Sequence, residues 1–366
     1  MMKRLALIVF ASMALWSCGT SGGTAPDDTF DRSAMLRDMA EHWIVPSYAE
    51  ASATAHAMFL AIDGFTADPR PQTLNDARQA WVTATDAWER IVLFDFGPAE
   101  GLYGDLTMNA GTFPASPTKI ERFVTAGDTS MQNFDRDSRG YLAIDYLLYD
   151  GSDADIVARF SGPENANRRA YLRTVARTID EQIATVSNAW NTSYVTTFVQ
   201  HNGTDAGSSV SELVNSMAMS FEVLKNDKVG TPAGKRVGQS GPDPRRVEAY
   251  YSGRSVALMR RHFAAITATW GGISDNGGTT FKAFDDYLMT VTGGERLVTD
   301  TRAQIARVEE LLTALPQDAT LASLCASSDP RIETLHTELQ KLTRFLKSEM
   351  ASVLGVAITY SSGDGD

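Results

Sequence analysis

The sequence predicts an all-α protein built from two packed helical bundles. Three observations carry the prediction. Apolar residues recur at three- and four-residue spacing through nearly the whole body of the chain. The period-two alternation rich in Val, Ile and Thr that marks strands is scarce. A Gly-, Asn- and Ser-containing break, His201 to Ser208, divides the chain into halves that each supply four or five helical stretches. The length of 366 residues and the 43% hydrophobic content suit two core-forming units of ordinary size, 30–202 and 203–366.

The first residues stand apart from this body. Lys3 and Arg4 precede an apolar run from Leu5 to Trp16, too short to remain as a membrane-spanning helix. The run closes on Leu15-Trp16-Ser17-Cys18-Gly19, which resembles the lipobox of bacterial lipoproteins. That resemblance implies a signal peptide over 1–17, a lipidated Cys18 and a cell-envelope location, at the outer membrane on its periplasmic face or at the cell surface. The stretch 18–29 is Gly-, Ser-, Thr- and Asp-rich and reads as a flexible tether. Cys325 is the only other cysteine, so with Cys18 lipidated no intramolecular disulfide can form.

Within the body, Asp31 is a plausible cap for a helix through Met35, Leu36, Met39, His42 and Trp43, which Pro46 should kink or restart. The stripe continues through Tyr48, Ala55, Phe59 and Ile62 to Gly64. Thr73 can cap a helix carrying Leu74, Trp81 and Trp88 that stops at Phe94-Asp95-Phe96-Gly97-Pro98. Gly101 to Thr118 is the longest irregular stretch of this half, a kind of loop that is often functional. Short helices follow over 119–126 and 139–150, then a long one from Pro163 to Phe198. In the second half, helices are expected at Val210 to Lys225, Arg245 to Trp270, Phe281 to Val291, Arg296 to Leu315 and Asp329 to Leu354.

Composition and motifs exclude several functions. The net charge is -12 and no Lys/Arg run occurs, which argues against a nucleic-acid partner. None of the five histidines belongs to an HExxH motif; His42 and His56 sit on apolar helix faces and read as core or boundary residues. No cysteine pair offers a zinc site, no glycine-rich phosphate loop follows a strand, and no nucleophile elbow supports a Ser/His/acid triad. The segment from Lys228 to Pro244 is basic for so acidic a protein: Lys228, Lys235, Arg236 and Arg245 could meet an anion or the acidic first half, or be a solvated loop.

The centre of the chain is Arg139 to Asp150. Ile144, Leu147 and Leu148 form one apolar stripe, and Leu142, Asp145, Tyr146 and Tyr149 share another face. A carboxylate in such company needs a partner, a proton or a cleft.

Several segments in this order resemble the imelysin family of bacterial envelope proteins: Pro46-Ser47-Tyr48, Trp81 and Trp88 leading to Phe94-Asp95-Phe96-Gly97-Pro98, Gly140 to Leu148, Val247 to Ser252 with Ser255, and Leu354-Gly355-Val356 to Asp364-Gly365-Asp366. The resemblance implies two facing four-helix-bundle-like domains with a site at their junction, and an association with iron or haem acquisition. Some members are described as metallopeptidases, with the His and Glu of a central Gly-x-His-x-x-Glu helix as metal ligands. In this chain those two positions are Leu142 and Asp145, and the position of a further family Glu is Val92. Two hydrocarbon side chains cannot ligate a metal, so the expectation is a non-catalytic binding lipoprotein with no metal site and no cofactor. Its ligand-binding residues are Gly140, Tyr141, Leu142, Asp145, Tyr146, Glu248, Ser252 and Arg254, and its partner is a small ligand or an envelope protein. The alternatives are an imelysin-type peptidase or a lipoprotein docking an outer-membrane transporter.

Overall fold

The computed structural model describes residues 30–359 apart from 101–104, 132, 275–277 and 317. Cys18, the signal peptide, the tether and Asp364-Gly365-Asp366 lie outside the described residues. What is described is helical, with no strand beyond a lone bridge between Ile273 and Thr280.

The first half opens with α1 (Arg32–Met39), capped by Asp31, whose carboxylate accepts from the Ala34 N–H at 2.9 Å. A π turn, Ala40–Ile44, joins it to α2 (Val45–Ala67). The cause is Pro46, which has no N–H for the His42 carbonyl and whose ring needs room there, so the helix widens by a residue instead of breaking. Then come α3 (Pro71–Ile91), α4 (Leu106–Ala110), α5 (Pro117–Ala126), α6 (Gly140–Tyr149), α7 (Asp153–Phe160), α8 (Ala166–Ala189) and, after a second π turn, α9 (Val195–Gln200). α2 packs along both α3 and α8, and α6 lies across α3 and α8.

The second half holds α10 (Ser209–Glu222), α11 (Ser255–Gly271), α12 (Phe284–Met289), α13 (Gly294–Thr313), α14 (Leu321–Ala326), α15 (Pro330–Thr343) and α16 (Met350–Leu354). α13 packs on α15, and α11 crosses to pack on α3 of the first half. Buried apolar residues run as one continuous cluster from Met35 to Val356.

Two departures from the sequence pattern matter. α10 does not end at Lys225; a π segment, Val223–Gly230, extends it, so Lys228 is helical and buried rather than part of a loop. The helix expected from Arg245 begins only at Ser255. Residues 244–246 form a 3-10 turn, and Ala249 (φ 49°) and Gly253 (φ 71°) adopt left-handed backbone that no α-helix accommodates. His42 and His56 are not core residues either: they stand at the surface, each 2.9 Å from a carboxylate, Asp38 and Asp180.

Candidate functional site

Helix α6 starts on Gly140, whose φ of 78° and whose approach to the α4 backbone admit no side chain: a Cβ there would lie 2.4 Å from the Ala110 carbonyl oxygen. From that start every residue through Leu148 is buried. Tyr141 points into the core of the first half, its ring 5.4 Å from Trp88, while its carbonyl accepts from the Trp81 indole at 3.0 Å. Leu142 and Asp145 point the other way, toward the second half.

Asp145 is 1% exposed. Its two carboxylate oxygens accept from two successive backbone amides of the second half, Tyr251 N–H and Ser252 N–H, each at 3.0 Å. Burial outweighs these donors and lifts the carboxyl from its usual range to about 6. Asp145 therefore pins the 247–253 segment to α6. The same segment is held from inside by Ser255, whose hydroxyl donates to the Glu248 carbonyl, and by the Glu248 side chain. Ala249, in the left-handed region, reverses the chain between them, sending Glu248 inward and leaving Tyr250 outside.

Between α6 and this segment lies a cleft of 540 Å³, within the range of small-ligand sites. Its floor is Leu142, Asp145, Val247 and Ala249; Pro114, Ala115 and Pro117 form one wall; Asp243, Arg245, Arg246, Tyr250 and Tyr251 form the other. The segment between α4 and α5 thus supplies a wall. Tyr146, Tyr251 and Tyr250 stack edge-to-face at 5.1 and 5.2 Å, running from the buried helix out to the rim. The Tyr146 hydroxyl donates to Glu121 at 2.8 Å.

The expected site residues therefore divide. Leu142 and Asp145 reach the cleft, Ser252 holds its edge through its amide, and Tyr146 supports it from behind. Gly140 and Tyr141 serve α6 from its far side. Arg254 turns away to pair with Asp86 at 2.7 Å. Glu248 belongs to a separate, sealed cluster. Sequence reasoning missed Arg246, Tyr250 and Tyr251; an Arg-Arg pair beside a Tyr-Tyr pair was the available signal, and reading the stretch as helix hid it.

The sealed cluster joins the halves. Lys228 lies 2.6 Å from Glu89 of α3 and 2.8 Å from Glu248. Burial, then the Glu248 charge, holds Glu89 well above the carboxylate range. Burial pulls the Lys228 ammonium down, but Glu248 and Glu89 more than offset it and leave it raised. Two carboxyl groups share one ammonium in this sealed site, and burial with the neighbouring charge favours the protonated form of Glu89. His262 joins it, Nε2 at 2.6 Å from the Ser220 hydroxyl and Nδ1 at 3.5 Å from Glu89. The order of Ser, His and Glu is a hydrolytic triad's, but His262 Nδ1 makes no hydrogen bond to the acid. The setting is not a triad's either: His262 is 0% exposed, and burial and then Lys228 hold its pKa well below normal, so it can neither meet a substrate nor stabilise as an imidazolium.

The residues at the junction do not fit a metal ion. Leu142 and Val92 offer no donor atom, and both oxygens of Asp145 are committed to amides. Among the described residues, no group of three or more His, Cys, Asp or Glu side chains is arranged to hold one.

The sequence model of the imelysin family (peptidase M75) matches residues 44–346. The iron-regulated protein A of Synechococcus elongatus is 21% identical over 252 residues, 66% of this chain and 65% of that protein. The match thus spans about two thirds of the relative's length. A crystal structure described as an iron-regulated protein A precursor from Parabacteroides distasonis superposes with a TM-score of 0.72 at 18% identity, covering 90% of this chain and 98% of the other. An imelysin-like protein from Psychrobacter arcticum gives 0.70 at 16% identity, with 90% and 97% covered. At such identities the structural likeness establishes the fold.

Proposed function

The chain belongs to the imelysin family, and from that premise we propose that it is a non-catalytic binding lipoprotein of the cell envelope, anchored through Cys18, that takes a small ligand in the cleft between α6 and the 243–252 segment in the service of iron handling. The carrying observation is the state of the central helix. Leu142 lines a 540 Å³ cleft where the family motif places a ligating side chain, and Asp145 spends both oxygens on backbone amides. The cleft is kept and its walls are built, while the means of holding a bare cation are gone. The iron connection rests on the names of the relatives; the lipid anchor rests on the sequence around Cys18.

Two measurements on the detergent-solubilised full chain test this. Titration with zinc or ferrous ion is expected to give no saturable binding that depends on Asp145. Micromolar binding lost in Asp145→Asn, with the fold retained, refutes the reading. Incubation with a broad peptide library, with and without chelator, is expected to give no turnover, and chelator-sensitive cleavage refutes the non-catalytic part.

A further inference from the structure

Resting on the cleft as a ligand site, we infer that its ligand is a small anion with a flat or apolar body, bound by the guanidinium groups of Arg245 and Arg246 and laid against Tyr250. Every other arginine among the described residues is engaged by a carboxylate, a carbonyl, a hydroxyl, a sulfur or another partner. Even those at the surface, such as Arg122 and Arg173, are paired. In a chain of net charge -12, an arginine left without any partner is the exception. The two exceptions adjoin in sequence and line the same cleft.

The other charges of the cleft do not cancel them. Asp145 is bound to the Tyr251 and Ser252 amides, and Asp150 pairs with Arg159 at 3.1 Å. Asp243 is the remaining acid of the lining, one against two. Both arginines belong to the 3-10 turn 244–246, whose preceding Asp243 N–H donates to the Pro232 carbonyl at 2.9 Å, so their backbone is fixed while their side chains stay open to solvent. Adjacent guanidiniums suit a ligand with more than one anionic oxygen, since each offers a planar fork of donors. The rest of the lining is flat and apolar: Tyr250 at 38% exposure, Pro114, Pro117, Ala115 and Leu142. A bare inorganic anion would leave that surface wet; an anion with an aromatic or ring body would cover it. Such a ligand also resolves the missing metal donors, because an anionic iron chelate brings its own.

The test compares two ferric complexes of similar size on the detergent-solubilised full chain, followed by calorimetry and tyrosine fluorescence: an anionic tricatecholate and a neutral trihydroxamate. The tricatecholate is expected to bind, more weakly as salt is raised, and the trihydroxamate at least roughly tenfold less tightly. Arg245→Gln and Arg246→Gln are each expected to weaken the tricatecholate by about tenfold or more. Both side chains are exposed, so these variants fold. If both complexes bind alike, Tyr250→Ala weakens both, and the arginine variants bind as wild type, the anion inference is overturned while the cleft reading stands. If neither complex binds, or if binding is indifferent to Tyr250→Ala and to Leu142→Trp as well as to the arginines, both are overturned.

Discussion

Asp145 makes the fold's stability depend on pH in a direction opposite to an ordinary paired carboxylate. Its pKa is about 6 in the folded protein against an ordinary 3.8, because burial costs its charge more than the Ser252 side chain and the two amides return. Between those values the native state binds a proton that the unfolded chain has released, so stability must fall as pH rises through the window. The stabilising effect of the proton is fully present below about pH 4 and lost above about pH 6. A shift of this size is worth roughly 3 kcal/mol at 1.36 kcal/mol for each unit, undiscounted because the side chain is 1% exposed. Asp145→Asn has the same shape and cannot titrate. Chemical denaturation of both proteins from pH 4 to 8, taken as a difference, cancels the other titrating groups. The stability of wild type relative to Asp145→Asn is expected to fall by up to roughly 3 kcal/mol as pH rises to about 6, then to level off. A flat difference, or one that rises with pH as for a salt-bridged carboxylate, refutes the account of Asp145 as a buried charge with no cation beside it.

Further outcomes follow from the same structure. Lys228→Met strands Glu89 and Glu248 without a cation and is expected to cost about 3–5 kcal/mol in denaturant unfolding, whereas Glu89→Gln, at a carboxyl whose proton burial favours, is expected to stay within about 1 kcal/mol of wild type. Gly140→Ala places a Cβ 2.4 Å from the Ala110 carbonyl at positive φ and is expected to lower stability by at least about 2 kcal/mol. Ser220, despite its histidine and acid, is expected to resist a fluorophosphonate probe, with intact-mass spectrometry as the readout; stoichiometric labelling lost in Ser220→Ala shows that the cluster opens. In hydrogen exchange, the Tyr251 and Ser252 amides are expected to be protected in wild type and to exchange faster in Asp145→Ala, while Trp81 and Tyr141 stay unchanged.

Much of this was legible in the residues. Helical spacing gave the fold class, Pro46 announced the interruption of the first long helix, and the company Asp145 keeps on α6 said that it required a partner. What the partner is could not be read, because a backbone N–H has no residue type: Tyr251 and Ser252 are chosen by the path of the chain, not by their side chains. The path itself turns on Ala249 at φ 49°, a conformation that alanine does not advertise. With that reversal unseen, Arg245 to Ser252 continued the stripe of α11 and passed for helix, and the cleft's second wall went with it. Lys228 was misplaced for a related reason. The π segment Val223–Gly230 changes the angular spacing of the helix, so a residue that an α-helical count leaves outside is turned in toward Glu89. His42 and His56 were read as core or boundary residues on the strength of apolar neighbours, yet both are exposed and pair with Asp38 and Asp180.

The shorter acid at position 145 and the hydrocarbon at 142 are best understood as one change. A carboxylate on a Glu stem reaches about one methylene further from α6, into the cleft; on an Asp stem it stops at the helix surface, where the Tyr251 and Ser252 amides meet it at 3.0 Å. Having given up reach, it gains a fixed role: it holds the segment that carries Arg245, Arg246 and Tyr250 at a set distance from Leu142. Leu142 then supplies apolar floor. Asp145→Glu is therefore informative. With 1% exposure there is no room for a further methylene without moving the second wall. The variant is expected to keep its fold, to lose amide protection at Tyr251 and Ser252, and to weaken ligand binding by shifting the arginines rather than by adding a donor. If instead Asp145→Glu keeps those amides protected and confers zinc binding, the cleft still has a cation site that one methylene completes, and the division of labour argued for Leu142 and Asp145 is wrong.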